Sequence, residues 1–118
     1  MSGNAAESLK DRLRADLKHA MKARNTAEAS VLRALLAAID NAEAPAQSAE
    51  QSSAVSRSFA EGAAEVARRA LTRERLDTLL ADEIKARERA ATEMEQHGRA
   101  DRAELLRVEA EVASRYLQ

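Results

Sequence analysis

Two histidines are the first side chains to consider as metal ligands. His97 follows Glu93 by four residues, a spacing that places both side chains on one face of a helix. A metal site normally needs three or four protein ligands, and the only other imidazole belongs to His19, on a distant part of the chain. We therefore interpret His97 as a solvated residue in the last turn of a helix. The sequence predicts no metal site.

The motifs that position catalytic groups are missing from the sequence. It contains no phosphate-binding P-loop, no GxGxxG, no GxSxG and no HExxH. Catalysis needs ionisable groups that converge in a pocket, and no spacing in this chain predicts such a group. We therefore expect neither a catalytic site nor a cofactor.

One regular row of basic side chains lies near the start of the chain, with a step of four residues that keeps it on one face of a helix. Its members are Lys10, Arg14, Lys18 and Lys22. The segment from Met1 to Arg24 carries a net charge of +3, whereas the segment from Asp77 to Gln118 has ten acids against seven bases. Such asymmetry can steer an anionic partner to the first helix, so these four residues are candidate RNA contacts, together with Arg68 and Arg69. The alternative interpretation, solvated charges that suit the acidic half of the same chain, stays open.

The composition limits the class of protein. Of the 118 residues, 33% are charged, 2% are aromatic and one is Pro. This composition is typical of helices, and the length suits one compact domain. There is no Cys, no apolar run near 18 residues, and no apolar core of a signal peptide at the N-terminus. With a net charge of −1, the chain lacks the strongly basic balance of a DNA-binding domain. We expect a cytoplasmic all-α protein that contacts neither membrane nor DNA.

The first two helices are predicted as antiparallel neighbours. Ser8, followed by Asp11, can cap a first helix that ends near Arg24, and Asn25, followed by Glu28, has the spacing of a capping box. The connection between these helices is very short, which normally makes them antiparallel. The predicted apolar stripes are Leu9, Leu13, Leu17, Ala20 and Met21 in the first helix, and Val31, Leu32, Leu35, Leu36 and Ile39 in the second.

The middle of the chain is predicted as a loop followed by an added helix. Pro45 and the small polar residues around it favour a loop over residues 44–54. Apolar residues then recur at helical spacing over 55–70, with Phe59 as the core anchor of a short helix.

The C-terminal part is predicted as a long helical hairpin. Thr72 caps a helix that ends before Gly98, and the spacing of Asp101 and Glu104 predicts a capping box for the last helix. The predicted stripe of that helix is Leu105, Val108, Val112 and Tyr116. The fold predicted for the whole chain is an antiparallel bundle of four to five helices. The Ala-rich distal half of the hairpin could pack against a second copy, so a homodimer stays open.

Three blocks of the chain resemble the GatB/YqeY family, the YqeY-like proteins. They are SLKDRLRADLKHAMKAR at Ser8 to Arg24, SVLRALLAAIDNAE at Ser30 to Glu43, and the stretch from Leu71 to Leu117 that includes IKAR and the Gly98-Arg99 pair. The resemblance covers most of the chain outside residues 44–70. It implies an all-helical domain that, in the usual family member, precedes a second small domain similar to the tRNA-contacting tail of the GatB subunit of tRNA-dependent amidotransferases.

The sequence predicts that this chain holds only the first of those domains, because it stops at Gln118, where family members continue into the tail. We therefore expect a non-catalytic binding module that acts through a protein partner or as an accessory to tRNA metabolism. A direct tRNA binder and a carbon–nitrogen ligase with glutamine as amide donor are the alternatives, and the ligase is implied by the resemblance only.

Overall fold

The described part of the chain forms two helical hairpins that pack into one bundle. A computed structural model describes residues 5–45 and 70–118, and in these ranges it contains four helices and no strand. α2 contacts both helices of the second hairpin, and α1 also reaches its first helix. The predicted all-α bundle with a long C-terminal hairpin is confirmed. The helices are α1 (Ala5–Lys22), α2 (Thr26–Glu43), α3 (Arg73–Gln96) and α4 (Ala100–Ser114).

The predicted loop at 44–54 and the predicted helix at 55–70 lie outside the described residues, apart from Ala44, Pro45 and Ala70. The same holds for Phe59, Arg68 and Arg69, so their predicted roles stay predictions.

α2 forms the centre of the core. Its predicted stripe is confirmed, because Val31, Leu32, Leu35 and Ile39 are fully buried and Leu36 packs against the same cluster. Burial of an aliphatic side chain of this size contributes roughly 1.5–3 kcal/mol, so this one face contributes more than any single polar contact in the bundle.

Two of the four predicted helix caps are confirmed. The Asn25 side chain accepts a hydrogen bond from the backbone N–H of Glu28, and Thr72 accepts one from the N–H of Arg75. The cap predicted at Ser8 is wrong, since α1 already includes Ala5 and Ser8 lies inside the helix. The cap predicted at Asp101 is also wrong, because α4 begins at Ala100.

Both hairpin turns close the preceding helix with the same pattern of backbone hydrogen bonds. The turn after α3 shows why the cap predicted at Asp101 is wrong. At the end of α3 the N–H of Gly98 bonds the carbonyl of Glu95 at 3.0 Å, and the N–H of Arg99 bonds that of Met94 at 2.7 Å, a Schellman motif. Gly98 adopts the left-handed conformation that this motif requires, with φ of 75°. The chain then enters α4 after Arg99 alone, so Asp101 already lies in the first turn.

The apolar stripe predicted for α4 is only partly correct. Val112 and Tyr116 are buried, but Leu105 is partly exposed and Val108 is 37% exposed. α4 packs against α3 through a different face, which is made mostly of alanine. Small side chains allow close helix packing, but they give only a weak apolar pattern in the sequence. That buried face consists of Ala103, Leu106, Ala110 and Ala113.

α1 shows a similar error at its last turn. Leu9, Leu13 and Ala20 are buried as predicted, whereas Met21 is 52% exposed. Ala20 occupies the buried position there, and Met21 is left on the surface beside the basic row.

The distal half of the second hairpin has a small core of its own. Ala91, Ala103 and Leu106 form a buried cluster, with Ala90 and Met94 packed against it. All five residues belong to α3 and α4, so within the described part of the chain the far end of α3 packs against the last helix.

Candidate binding surfaces

Lys10, the first residue of the predicted basic row, lies in the interior. It is 6% exposed, and its Nζ donates a 2.7 Å hydrogen bond to Oε1 of Glu43, which is itself 5% exposed. Carboxylate oxygens of Glu7 and Asp40 lie 3.2 and 3.6 Å from the same nitrogen. The hydrogen bond to Glu43 raises the pKa of Lys10, so the ammonium stays charged. Lys10 thus joins the start of α1 to the end of α2.

The other three residues of the predicted row are exposed on α1. Nη1 of Arg14 lies 3.2 Å from Oδ1 of Asp11 in a solvent-exposed pair. Lys18 and Lys22 are exposed, and neither forms an ion pair with any residue in the ranges 5–45 and 70–118. The structure therefore leaves Arg14, Lys18 and Lys22 accessible to a partner and separates Lys10 from them. A role of the four residues in RNA binding stays a prediction.

The turn between α1 and α2 adds two basic residues that the spacing pattern did not reveal. Met21, Arg24 and Arg33 line a shallow hollow of about 310 Å³ at this turn. Arg33 is the only basic residue of α2, and antiparallel packing brings it beside the last turn of α1. A single basic residue in the most apolar helix is the sequence signal that could have pointed to it. We use the name basic surface for five exposed basic residues of this hairpin: Arg14, Lys18, Lys22, Arg24 and Arg33.

Arg24 occupies a backbone position that favours glycine. Its φ is 59°, and the N–H groups of Arg24 and Asn25 bond the carbonyls of Met21 and Ala20, as in the turn at Gly98. A left-handed residue other than glycine is disfavoured by roughly 1–2 kcal/mol. The bundle therefore holds a strained arginine at the edge of the hollow, and such strain is often found at functional positions.

A groove on the second hairpin has a volume of about 630 Å³. Its lining combines apolar side chains with three glutamates, and no residue of α1 or α2 contributes to it. Glu88 and Glu111 are exposed and form no ion pair with any other described residue, while Arg107 is held by Glu95 at 2.9 Å. We call this the hairpin groove. Its lining is Ile84, Glu88, Thr92, Glu104, Arg107, Val108, Ala110, Glu111 and Ser114.

Tyr116 connects the end of the chain to the rest of the bundle. The residue is 1% exposed, and its hydroxyl donates a 2.6 Å hydrogen bond to Oδ2 of Asp16. The Arg12 guanidinium lies 4.7 Å from the centre of the ring, a cation–π distance. Nη2 of Arg73 donates to the Tyr116 carbonyl at 2.7 Å. These contacts are structural, because the ring and hydroxyl face the interior.

Tyr116 should resist ionisation as long as the protein is folded. Burial and the hydrogen bond to Asp16 raise the pKa of Tyr116 well above its ordinary value. In the unfolded chain tyrosine ionises near pH ~10, so this stabilising contribution is complete below that pH and decreases as the pH rises above it. Since Tyr116 is the only tyrosine and there is no tryptophan, ultraviolet absorbance of the phenolate reports on it alone. We expect that absorbance to rise only together with the loss of helical circular dichroism. A rise at the pH of free tyrosine while the helices remain intact would contradict the buried hydrogen bond.

The described residues contain no group of three or more His, Asp or Glu side chains placed to hold a metal ion. None of the helices in residues 5–45 and 70–118 is long and apolar enough to cross a membrane.

The geometry defines an all-α bundle protein whose accessible features are a basic surface on one hairpin and an acidic, partly apolar groove on the other. The profile of the family described as Yqey-like protein matches residues 10–118. The chain belongs to this family. The comparisons with curated proteins and with solved structures give no match.

Proposed function

We propose that this protein is a non-catalytic helical binding module, accessory to tRNA-dependent amidotransferases or to another step of tRNA metabolism. The observation that supports this function is the pair of oppositely charged, accessible surfaces on one helical frame. Lys18 and Lys22 on one side, and Glu88 and Glu111 on the other, form no ion pairs with described residues. Charges of this kind guide association with a partner more than they stabilise a monomer. The link to tRNA metabolism comes from the family resemblance.

Two titrations test this function, one against a purified tRNA-dependent amidotransferase and one against bulk tRNA. Both are made at about 150 mM salt, where non-specific electrostatic binding is weak, with dissociation constants of ~10⁻⁴–10⁻⁶ M. Binding clearly tighter than ~10⁻⁶ M to either probe supports an accessory role. Absence of binding to both would contradict it.

Direct tRNA binding through the basic surface is a second candidate function. It is favoured by Arg24 and Arg33, two further exposed basic residues that line one hollow together with Met21, the neighbour of Lys22. Phosphate contacts from lysine and arginine provide affinity without sequence specificity and depend steeply on salt. The carbon–nitrogen ligase activity is supported by the resemblance alone.

If RNA binds this surface, the double variant Lys18→Glu with Lys22→Glu should lose most of the affinity for tRNA. The slope of log K against log salt should also become shallower by roughly 1.5–2, because two phosphate contacts are lost. The matched control is Arg89→Glu with Arg102→Glu. It makes the same change in net charge at two exposed positions that form no ion pair with described residues and lie on the other hairpin.

The control variant is expected to bind tRNA nearly as well as the parent protein. Equal affinity of the parent and the Lys18/Lys22 variant would rule out this surface as the RNA site, and equal losses in both variants would show an effect of net charge only.

A further inference from the structure

We propose that the basic surface of one copy of this protein docks into the hairpin groove of a second copy. The proposal goes beyond the binding function above, because the partner is the chain itself and no RNA takes part. The two surfaces are on the same molecule but do not meet within it: α1 packs against α2, and no residue of α1 or α2 lines the groove.

The charges of the two surfaces are complementary. The groove presents Glu88, Glu104 and Glu111, and its one basic residue, Arg107, is already held by Glu95 at 2.9 Å. The basic surface presents Lys18 and Lys22 without an ion pair in the described ranges. Lys18, Lys22, Glu88 and Glu111 form no ion pair with another described residue, so docking would bring them against opposite charges.

The spacing of the charges also agrees. Glu104 and Glu111 are seven residues apart on α4, which is about 10 Å along a helix axis. Arg14 and Lys22 are eight residues apart on α1, about 12 Å, with Lys18 halfway between them. A helix that lies along the groove can therefore place successive basic side chains against successive carboxylates.

Apolar contacts accompany the charges on both sides. Met21, next to Lys22, is 52% exposed, and Val108 in the groove is 37% exposed. Ile84 and Ala110 extend the apolar part of the groove. Burial of Met21 against these residues would add a hydrophobic contribution to an interface that otherwise depends on surface charges.

The proposed contact joins two different surfaces. Two copies related by a two-fold axis would form this contact twice, since each molecule contributes one basic surface and one groove. The exposed charges are screened by salt, so association should weaken as the ionic strength rises.

Charge exchange tests the proposal. Sedimentation velocity of the protein without nucleic acid, over a concentration series at low salt, should give a mass above the 12.8 kDa of one chain. Lys18→Glu with Lys22→Glu places acids against acids, and Glu88→Lys with Glu111→Lys places bases against bases. Each double variant should associate at least about tenfold more weakly than the parent, because like charges facing each other repel strongly.

The quadruple variant that combines all four substitutions should associate again, because both surfaces have then exchanged their charges. It keeps the parent's net charge of −1, so its recovery cannot come from a change in net charge. All four positions are exposed, and circular dichroism of each variant verifies that the helices are retained. The Arg89→Glu with Arg102→Glu variant is expected to associate like the parent.

Cross-linking gives a second readout that does not depend on charge. The chain contains no cysteine, so when a Met21→Cys protein is mixed with a Val108→Cys protein, the mixed disulfide joins these two positions and differs from the two products formed between like chains. This mixed product should exceed the product of Met21→Cys with Leu117→Cys, a control residue that is also exposed, at 39%, and lies outside the groove.

A parent that remains at the mass of one chain under all these conditions would overturn the proposal. So would a quadruple variant that associates no better than either double variant. Because these experiments contain neither tRNA nor amidotransferase, their failure leaves the titrations of the proposed function unaffected.

Discussion

Replacement of Lys10 by methionine should lower the free energy of unfolding by roughly 3–5 kcal/mol, the range for removal of one partner from a buried ion pair. The side chain of Glu43 is 7% exposed, and it would lose the ammonium that lies 2.7 Å from its carboxylate. Glu7 and Asp40 face the same point, so the variant would remove a cation that three carboxylates share. Urea unfolding followed by circular dichroism measures the loss.

Two controls separate the buried charge from other effects of the substitution. Lys18→Met removes an exposed lysine eight positions further along α1 and should change stability by no more than about 0.5 kcal/mol. Lys10→Met combined with Glu43→Leu removes both charges and should recover most of the loss, as replacement of buried pairs by apolar residues commonly does. A single Lys10→Met variant as stable as the parent would show that the pair contributes nothing.

Tyr116→Ala should be comparably destabilising, by roughly 3–5 kcal/mol, because it removes a large buried ring and leaves a cavity. Tyr116 is 1% exposed and belongs to the main core together with Leu13 and Leu32. Its ring also supports the Arg12 guanidinium, 4.7 Å from the ring centre. The substitution therefore loosens the contact of the chain end with α1, α2 and α3.

Tyr116→Phe separates the contribution of the ring to stability from that of the hydroxyl. It keeps the packing but removes the donor of the 2.6 Å hydrogen bond to Asp16, so the expected loss is about 1–3 kcal/mol. Leu117→Ala, at the next and 39% exposed position, should change stability by no more than about 1 kcal/mol. If Tyr116→Ala had no larger effect than Leu117→Ala, the anchoring role of the ring would be wrong.

The position of Lys10 changes how the basic row should be tested. A charge reversal there would weaken any ligand binding simply by disrupting the bundle, because its side chain takes part in the contact with Glu43. Lys18 and Lys22 are the informative positions, since they are exposed and lack ion pairs among the described residues. Loss of binding in their variants can therefore be attributed to the surface itself.

Much of the fold was predictable because its signals are local. The spacing of Val31, Leu32, Leu35 and Ile39 defines one buried face of α2 through helical geometry alone. The caps at Asn25 and Thr72 and the turn at Gly98 depend on residues within a few positions of one another. Family membership likewise followed from three blocks of sequence in order, and the profile match over residues 10–118 confirms it.

Other features depended on which helices meet in space. Periodicity shows that Lys10, Arg14, Lys18 and Lys22 share a face, but Glu43, 33 positions away, decides that the first of them is buried. In α4 the large apolar residues marked one face, while α3 covers the alanine face and leaves Val108 exposed in the groove.

The sequence by itself therefore determined the four described helices, their order, and the basic charge of the first helix against the acidic charge of the C-terminal part. Only the tertiary structure decided which of those charges are available to a partner. The physical reason is that helix formation and capping depend on neighbours along the chain, whereas burial and ion pairing depend on side chains brought together from distant positions. Arg33 beside the end of α1, and the groove between α3 and α4, exist only because the helices pack as two antiparallel hairpins.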